Sequence, residues 1–213
     1  MYTMKVARKL VRVVTLSMFI PAGIASAAPF GSGTLIPIYL CNGKVATIVG
    51  TDLDDTIYGT TGPDVIVGLD GFDTILGLEG DDVICGGELH DHIYGGDGND
   101  ELYGNEGDDT ILGDDGQDII HGDGGNDSIW GGNSDDRLFG GDDRDTIHGD
   151  DGRDIVVGGG GSDILFGDGG DDLVYGKGDF DELDGGSGND VVDGGADSDS
   201  CTGGAGVNAV VNC

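Results

Sequence analysis

The sequence predicts an all-β chain wound as a parallel β-roll, a two-sheet β-solenoid built from nonapeptide repeats with short terminal caps. Three observations carry that expectation. From Gly50 to Thr202 the chain repeats every nine residues, in seventeen units without an insertion or deletion. Gly opens all seventeen units, and Asp holds the sixth place in all seventeen. The eighth place is apolar throughout, from Ile57 and Ile66 to Val192 and Cys201. A strict period outranks any local motif, because each unit can bury its apolar residue only by stacking on its neighbours.

Composition narrows the class. Of 213 residues, 46 are Gly, and 42 acidic residues face 9 basic ones, for a net charge of −33. Such a balance ordinarily describes a disordered chain. A permanently unfolded linker has no need of an apolar eighth position, however. Both features are met by a chain that stays unfolded until something neutralises its carboxylates. The same charge disfavours nucleic acid and anionic membrane surfaces as partners, since both require clustered Lys and Arg.

Residues 1–28 read as a secretory signal peptide. Lys5, Arg8, Lys9 and Arg12 form a basic start, Val13 to Ile24 an apolar core interrupted by Pro21, and Ala25-Ser26-Ala27 a small-residue cleavage pattern. That core is shorter than the roughly twenty residues of a membrane anchor. A secreted, extracellular protein without a membrane anchor is expected, and its mature charge is −37, from five basic and 42 acidic residues. Residues 29–49 read as an N-terminal linker and cap strand, with Val45 to Val49 β-branched and Ile48 nine residues before Ile57. Residues 203–213 keep the Gly203-Gly204 opening but carry Asn208 where the aspartate belongs, and read as a C-terminal cap.

Cys41, Cys85, Cys201 and Cys213 suggest disulfides in an exported protein, with three connectivities open. Cys41–Cys85 with Cys201–Cys213 is preferred, because each bond would clamp one end of the array. Zinc would need paired short spacings, which the sequence lacks.

Within a unit, positions 1 to 6 read as a turn and positions 7 to 9 as a short strand. Alternation sends position 8 inward and positions 7 and 9 outward. Odd units then build one sheet and even units the other, each unit stacking on the next but one, eighteen residues away. This stacking gathers turn carbonyls and aspartates from successive layers. Calcium suits such a donor set: it takes about six to eight carboxylate and carbonyl oxygens at about 2.3–2.6 Å. The candidate side-chain ligands are Asp55, Asp64, Asp73, Asp82, Asp91, Asp100, Asp109, Asp118, Asp127, Asp136, Asp145, Asp154, Asp163, Asp172, Asp181, Asp190 and Asp199. Turn carbonyls such as those of Gly95, Gly96, Gly98, Gly104, Gly107, Gly113 and Gly116 would complete them. Pairs such as Asp55 with Asp73, and Asp64 with Asp82, would bracket ions, with up to about fifteen Ca²⁺ between the turns. Their charge would nearly cancel that of the mature chain.

Two units, G95-G-D-G-N-D-E-L-Y and G185-G-S-G-N-D-V-V-D, spell G-G-x-G-x-D-x-U-x in full. In this the array resembles the RTX, or haemolysin-type calcium-binding, nonapeptide-repeat family. The segment C41-N-G-K-V-A-T-I-V-G-T and the closing cysteine also resemble small secreted RTX-repeat proteins of actinobacterial type. The resemblance implies a parallel β-roll with calcium held by the turn aspartates and neighbouring carbonyls. The chain departs from the pattern at position 4, which is Gly in eleven units but Leu53, Leu89, Ser134, Asp143, Asp179 and Asp197 elsewhere. Weaker binding or altered geometry is expected at those turns. Position 2 is Gly in only seven units, so a looser backbone requirement is expected there.

No EF-hand spacing, phosphate loop, H-E-x-x-H or G-x-S-x-G is present. Carboxylate pairs at glycosidase spacing arise everywhere in a chain this acidic and single out no pair. His90 and His92 are assigned to a turn and an outer strand face rather than to a metal. The expected function is calcium binding by a secreted roll that folds on the ion, without catalysis. The alternative is a structural, adhesive or protein-interaction surface for which calcium is only the scaffold. That alternative draws on the even-repeat outer face. Val65, Val83, Ile119, Ile155, Leu173 and Val191 at position 7, with Val67, Tyr103, Phe139, Val157 and Tyr175 at position 9, are expected to expose a contiguous apolar patch suited to a partner or to self-association.

Overall fold

The computed structural model describes residues 37–213. The expected signal peptide and the start of the linker lie outside the described residues. Two parallel sheets face each other. One has ten strands, from Ile48–Val49 through Val65–Asp70 to Ala209–Val211, and the other has nine, from Thr56–Tyr58 to Ser200–Thr202. Even units fill the first and odd units the second, as expected. Register is fixed at eighteen residues, as in Ile111↔Ile129 and Ile129↔Ile147. The core is one side chain thick. Position 8 supplies it, and every such residue from Ile66 to Val192 is fully inaccessible. Among the described residues no helix is long and apolar enough to cross a membrane.

Most strands are longer than the three residues expected. Thr110–Asp115 is typical: it runs through positions 7 to 9 and on through positions 1 to 3 of the next unit. Pairing skips Gly113 and resumes with Asp114↔Gly132 and Asp115↔Asn133. The resumption depends on position 2, which takes positive φ whether or not it is Gly: 77° at Asn105, 73° at Asp114, 87° at Lys177 and 109° at Gly96. From Leu69 to Gly195 the backbone requirement at position 2 is therefore strict, not loose. Asn and Asp meet it because their short polar side chains tolerate the left-handed region.

Position 4 also needs positive φ, but in two ways. Gly98, Gly116 and Gly188 lie near 142°, 143° and 142°, whereas Leu89, Ser134, Asp143, Asp179 and Asp197 sit between 72° and 92°. Five of the six substituted turns thus share the altered geometry expected of them, and Leu53 does not take positive φ. The cause is a close approach: a Cβ on Gly170 at its own φ of 148° would collide with the carbonyl oxygen of Gly152 one layer below. A side chain fits only when the backbone rotates towards the left-handed minimum.

The N-terminal cap differs from expectation. Val45 to Val49 is not one strand. Leu40–Cys41 and Lys44–Val45 form an antiparallel hairpin closed by Asn42-Gly43, with φ of 44° and 76°, and the chain then bends before Ile48–Val49 joins the ten-stranded sheet. Asn-Gly is a strong hairpin signal because both residues accept positive φ. The hairpin packs on the even face, where Cys41, Val67, Val83 and Cys85 form a second buried cluster flanked by Tyr39, Val65 and Tyr103. Lys44 pairs with Glu101 at 3.0 Å, and Asn42 donates to Tyr103 Oη at 2.7 Å. The expected patch is therefore covered over its first third. From Ile119 to Val191 its residues remain half-buried.

At the other end, Gly203 to Val211 takes the frame of an eighteenth unit, with Val192↔Val210 continuing the ladder. The disulfides are Cys41–Cys85 and Cys201–Cys213, the preferred pairing.

Gly170→Ala is expected to cost about 1–3 kcal/mol, because the backbone must leave its native φ. Gly124→Ala, where a Cβ meets nothing nearer than 3.6 Å, is expected to stay within about 0.5 kcal/mol of wild type. Chemical denaturation of the two variants side by side in calcium checks the contrast.

Candidate metal centre

Each position-6 aspartate stands where turn becomes strand. Its main-chain carbonyl feeds the sheet, as when Thr110 N–H donates to Asp91 O at 2.9 Å. Its side chain points along the solenoid axis. Asp118 Oδ1 accepts the N–H of Asp100 at 2.8 Å, Asp136 Oδ1 that of Asp118 at 2.8 Å, and Asp154 Oδ1 that of Asp136 at 2.8 Å. The same bond recurs from layer to layer. The expected pairs belong to it: Asp55 N–H donates to Asp73 Oδ1 and Asp64 N–H to Asp82 Oδ1, each at 2.8 Å. From Asp73 to Asp190 these residues are almost wholly inaccessible, while Asp55 and Asp199 are half-buried.

The second carboxylate oxygen has a different fate. Oδ2 of Asp73, of Asp82 and of each position-6 aspartate from Asp100 to Asp199 is buried without a hydrogen-bond partner. It converges, with a main-chain carbonyl from the layer above, on the glycine that opens its own unit. A Cβ built on Gly131 would lie 2.6 Å from Asp136 Oδ2 and 2.7 Å from Gly149 O; on Gly149 it would lie 2.7 Å from Asp154 Oδ2 and 2.6 Å from Gly167 O. The invariance of position 1 is thus a demand for space and not for unusual φ. The predicted carbonyl residues divide accordingly: Gly95, Gly104 and Gly113 lie under an aspartate Oδ2, whereas Gly96, Gly98, Gly107 and Gly116 shape the turn through positive φ.

A buried carboxylate oxygen without a proton or counter-charge is costly. The acidities register it. Burial, opposed by the N–H bond from the layer below and reinforced by neighbouring carboxylates, pushes Asp136 and Asp145 up to about 8. The same causes push Asp100, Asp127 and Asp154 up to about 7. An array of hard, anionic, inward-facing oxygens beside glycine carbonyls fits a hard divalent cation such as calcium. Among the described residues no three acidic, His or Cys side chains converge on one point.

Two structural groups were not foreseen. Position 5 carries a second ladder running in the opposite sense: Asn99 N–H donates to Asp81 Oδ1 at 2.9 Å, Gln117 N–H to Asn99 Oδ1 at 2.9 Å and Asn126 N–H to Asp108 Oδ1 at 2.8 Å. His90 belongs to it, accepting the Asp108 N–H on Nδ1 at 2.6 Å, while His92 opens an outer strand position. The signal was the recurrence of Asp, Asn, Gln and His at position 5. The second group is Thr51 and Thr60, which sit against the first two aspartates of the array.

A glycine-turned parallel roll with a buried column of metal-seeking carboxylates defines a repeat-built cation-binding scaffold. The profile of the RTX calcium-binding nonapeptide repeat, four copies long, matches residues 49–84, 58–93, 86–120, 112–147, 148–183 and 175–210. The chain belongs to this family, and membership implies calcium binding by the roll. A comparison with curated proteins finds no match.

The raised pKa values of these carboxyls have a sign that can be checked. Between the ordinary value of 3.8 and about 8 the folded chain holds more protons than the unfolded one. Without metal, stability is therefore full below the ordinary carboxylate range and falls as pH rises through it to about 8. Circular dichroism in a chelator is expected to show more β-structure at about pH 5 than at about pH 8. Equal signals would contradict the burial of these carboxylates.

Proposed function

We propose that this protein is an exported calcium-binding β-roll that folds on binding the ion and performs no catalysis. The carrying observation is the column of buried position-6 Oδ2 atoms beside glycine carbonyls. The position-6 aspartates are the side-chain ligands, glycine carbonyls of the same turns supply the remaining oxygens, and up to about fifteen ions are held. With a net charge of −33, the metal-free chain repels itself. Ions remove the repulsion and allow position 8 to close into a core. Two disulfides suit an oxidising extracellular setting, as does the signal-peptide pattern of residues 1–28.

A second reading makes the roll a scaffold for a partner or for self-association. It is supported by the part of the even face beyond the hairpin, where half-buried Ile119, Phe139, Ile155, Val157, Leu173, Tyr175 and Val191 share one surface. Light scattering in calcium tests it, and a strict monomer at high concentration would sink self-association.

Circular dichroism during a calcium titration tests the first reading, with magnesium as control. β-Structure is expected to appear between about 10⁻⁴ and 10⁻³ M calcium, the range of extracellular modules, and not with magnesium. No gain at millimolar calcium overturns it. Asp136→Asn keeps the Oδ1 acceptor and removes the charge. It is expected to bind fewer ions than wild type and to shift the midpoint to higher calcium, as isothermal titration and native mass spectrometry would record.

A further inference from the structure

We infer that the two ion ladders are closed by residues that replace the cation with their own protons: Thr51 and Thr60 at the first end of the odd-unit and even-unit ladders, and Asn208 at the last end of the even-unit ladder. This rests on the reading of the position-6 aspartates as calcium ligands, but its structural basis is separate.

At the first end, position 2 is Thr in two successive units. Thr51 N–H and Oγ1–H donate to Asp55 Oδ2 at 2.7 and 2.8 Å, and Thr60 N–H and Oγ1–H donate to Asp64 Oδ2 at 2.7 and 2.9 Å. The oxygen that is without a partner further along here receives two protons. The backbone explains why. Position 2 takes positive φ in every unit from Leu69 to Gly195, whereas Thr51 and Thr60 do not. A β-branched residue resists the left-handed region, so the chain turns its N–H towards its own aspartate. Strand Thr56–Tyr58 accordingly stops at position 9 instead of running on to position 3. These layers still donate upward, through Asp55 and Asp64 N–H to Asp73 and Asp82 Oδ1. They present a finished edge for the first layer whose Oδ2 has no protein donor.

At the last end, Asn208 holds position 6. Its Oδ1 accepts the Asp190 N–H at 2.8 Å, as Asp190 Oδ1 accepts that of Asp172 at 3.0 Å. Its Nδ2–H donates to the carbonyl oxygen of Gly203, which opens the same unit. A carboxylate would set oxygen against oxygen there and call for a cation; the amide supplies a proton donor in its place. The disulfides fasten the same two ends. Both ladders therefore close without metal at the first end and the even-unit ladder at the last, while the odd-unit ladder ends on Asp199, whose Oδ2 has no donor. Ion dependence is confined to the layers from Asp73 to Asp199.

Asn208→Asp and Thr51→Gly/Thr60→Gly are compared with wild type. Ions are counted by native mass spectrometry at saturating calcium, and amide hydrogen exchange is followed in a chelator. Asn208→Asp is expected to bind one additional ion and the threonine double variant one or two more. In the chelator, wild-type amides of Thr51, Thr60 and Asp190 are expected to exchange at least about tenfold more slowly than those of position-6 residues in mid-array. Asn208→Asp is expected to lose that protection at Asp190 until calcium is added. Asn208→Ala, which removes both hydrogen bonds and adds no charge, should expose the same end with the ion count unchanged. Identical non-zero counts in all four proteins, or ends that exchange as fast as the middle, overturn the inference. A wild type that binds no calcium sinks the calcium reading instead, and the exchange pattern in chelator still decides whether the ends are closed.

Discussion

One hydrogen bond, repeated layer after layer, governs the molecule: the main-chain N–H of a position-6 aspartate reaching Oδ1 of the aspartate eighteen residues later. It fixes the vertical register of the roll and turns every carboxylate inward. With Oδ1 committed, Oδ2 must lie beneath the residue that opens the unit, and no residue with a Cβ leaves room for it. Glycine at position 1 and aspartate at position 6 are thus a single requirement. Glutamate would carry the carboxylate past the glycine, and asparagine would replace one acceptor with a donor. The result is a column of buried anions whose cost grows with every layer added.

The apolar core does little to offset that cost. Each unit of nine residues contributes one inward side chain, Ile, Leu or Val for most of the length. Against it stands the ordering of a glycine-rich backbone, which loses more conformational freedom than any other. A roll of this composition carries a charge cost that protons relieve at low pH and that, in the function proposed, divalent ions relieve at high. The pushed-up carboxyl pKa values and the acidic composition are two expressions of the same arrangement.

Much of this was legible in the sequence, because a solenoid turns identity at a column into contact in space. The period gave the two sheets, the register and the single core column, and the aspartate column was visible for the same reason. Position 2 varies in residue type without varying in backbone from Leu69 onward: Leu69 and Lys177 adopt φ of 89° and 87° all the same. The six-residue strands follow from that conformation, which residue type does not reveal. The hairpin at Leu40–Val45 has its signal in Asn42-Gly43, while the β-branched run beside it carries an equal signal for one continuous strand. Thr51 and Thr60 could not be read from their column, since their meaning lies in a bond within the unit and not between layers.

The outer faces obey the rule of in-register stacking as strictly as the interior. A side chain meets its own column above and below, so a column tolerates only residues that sit well on one another. Aromatic rings do: Tyr103, His121 and Phe139 stack with centroids 5.1 and 4.7 Å apart, and Trp130, His148 and Phe166 at 5.9 and 4.5 Å on the opposite sheet. Amides and carboxylates do so by accepting the main-chain N–H of the next layer, as position 5 does in the run Asp81, Asn99, Gln117. Arg153 beside Asp135 at 3.3 Å is the charged form of that solution. Like charges stack in register only at the exposed edge, as in the runs Asp70, Glu88, Glu106 and Glu79, Asp97, Asp115. A buried carboxylate column has no water to screen it and leans on the N–H donated from the neighbouring layer, and position 6 is the one column that carries aspartate in all seventeen units.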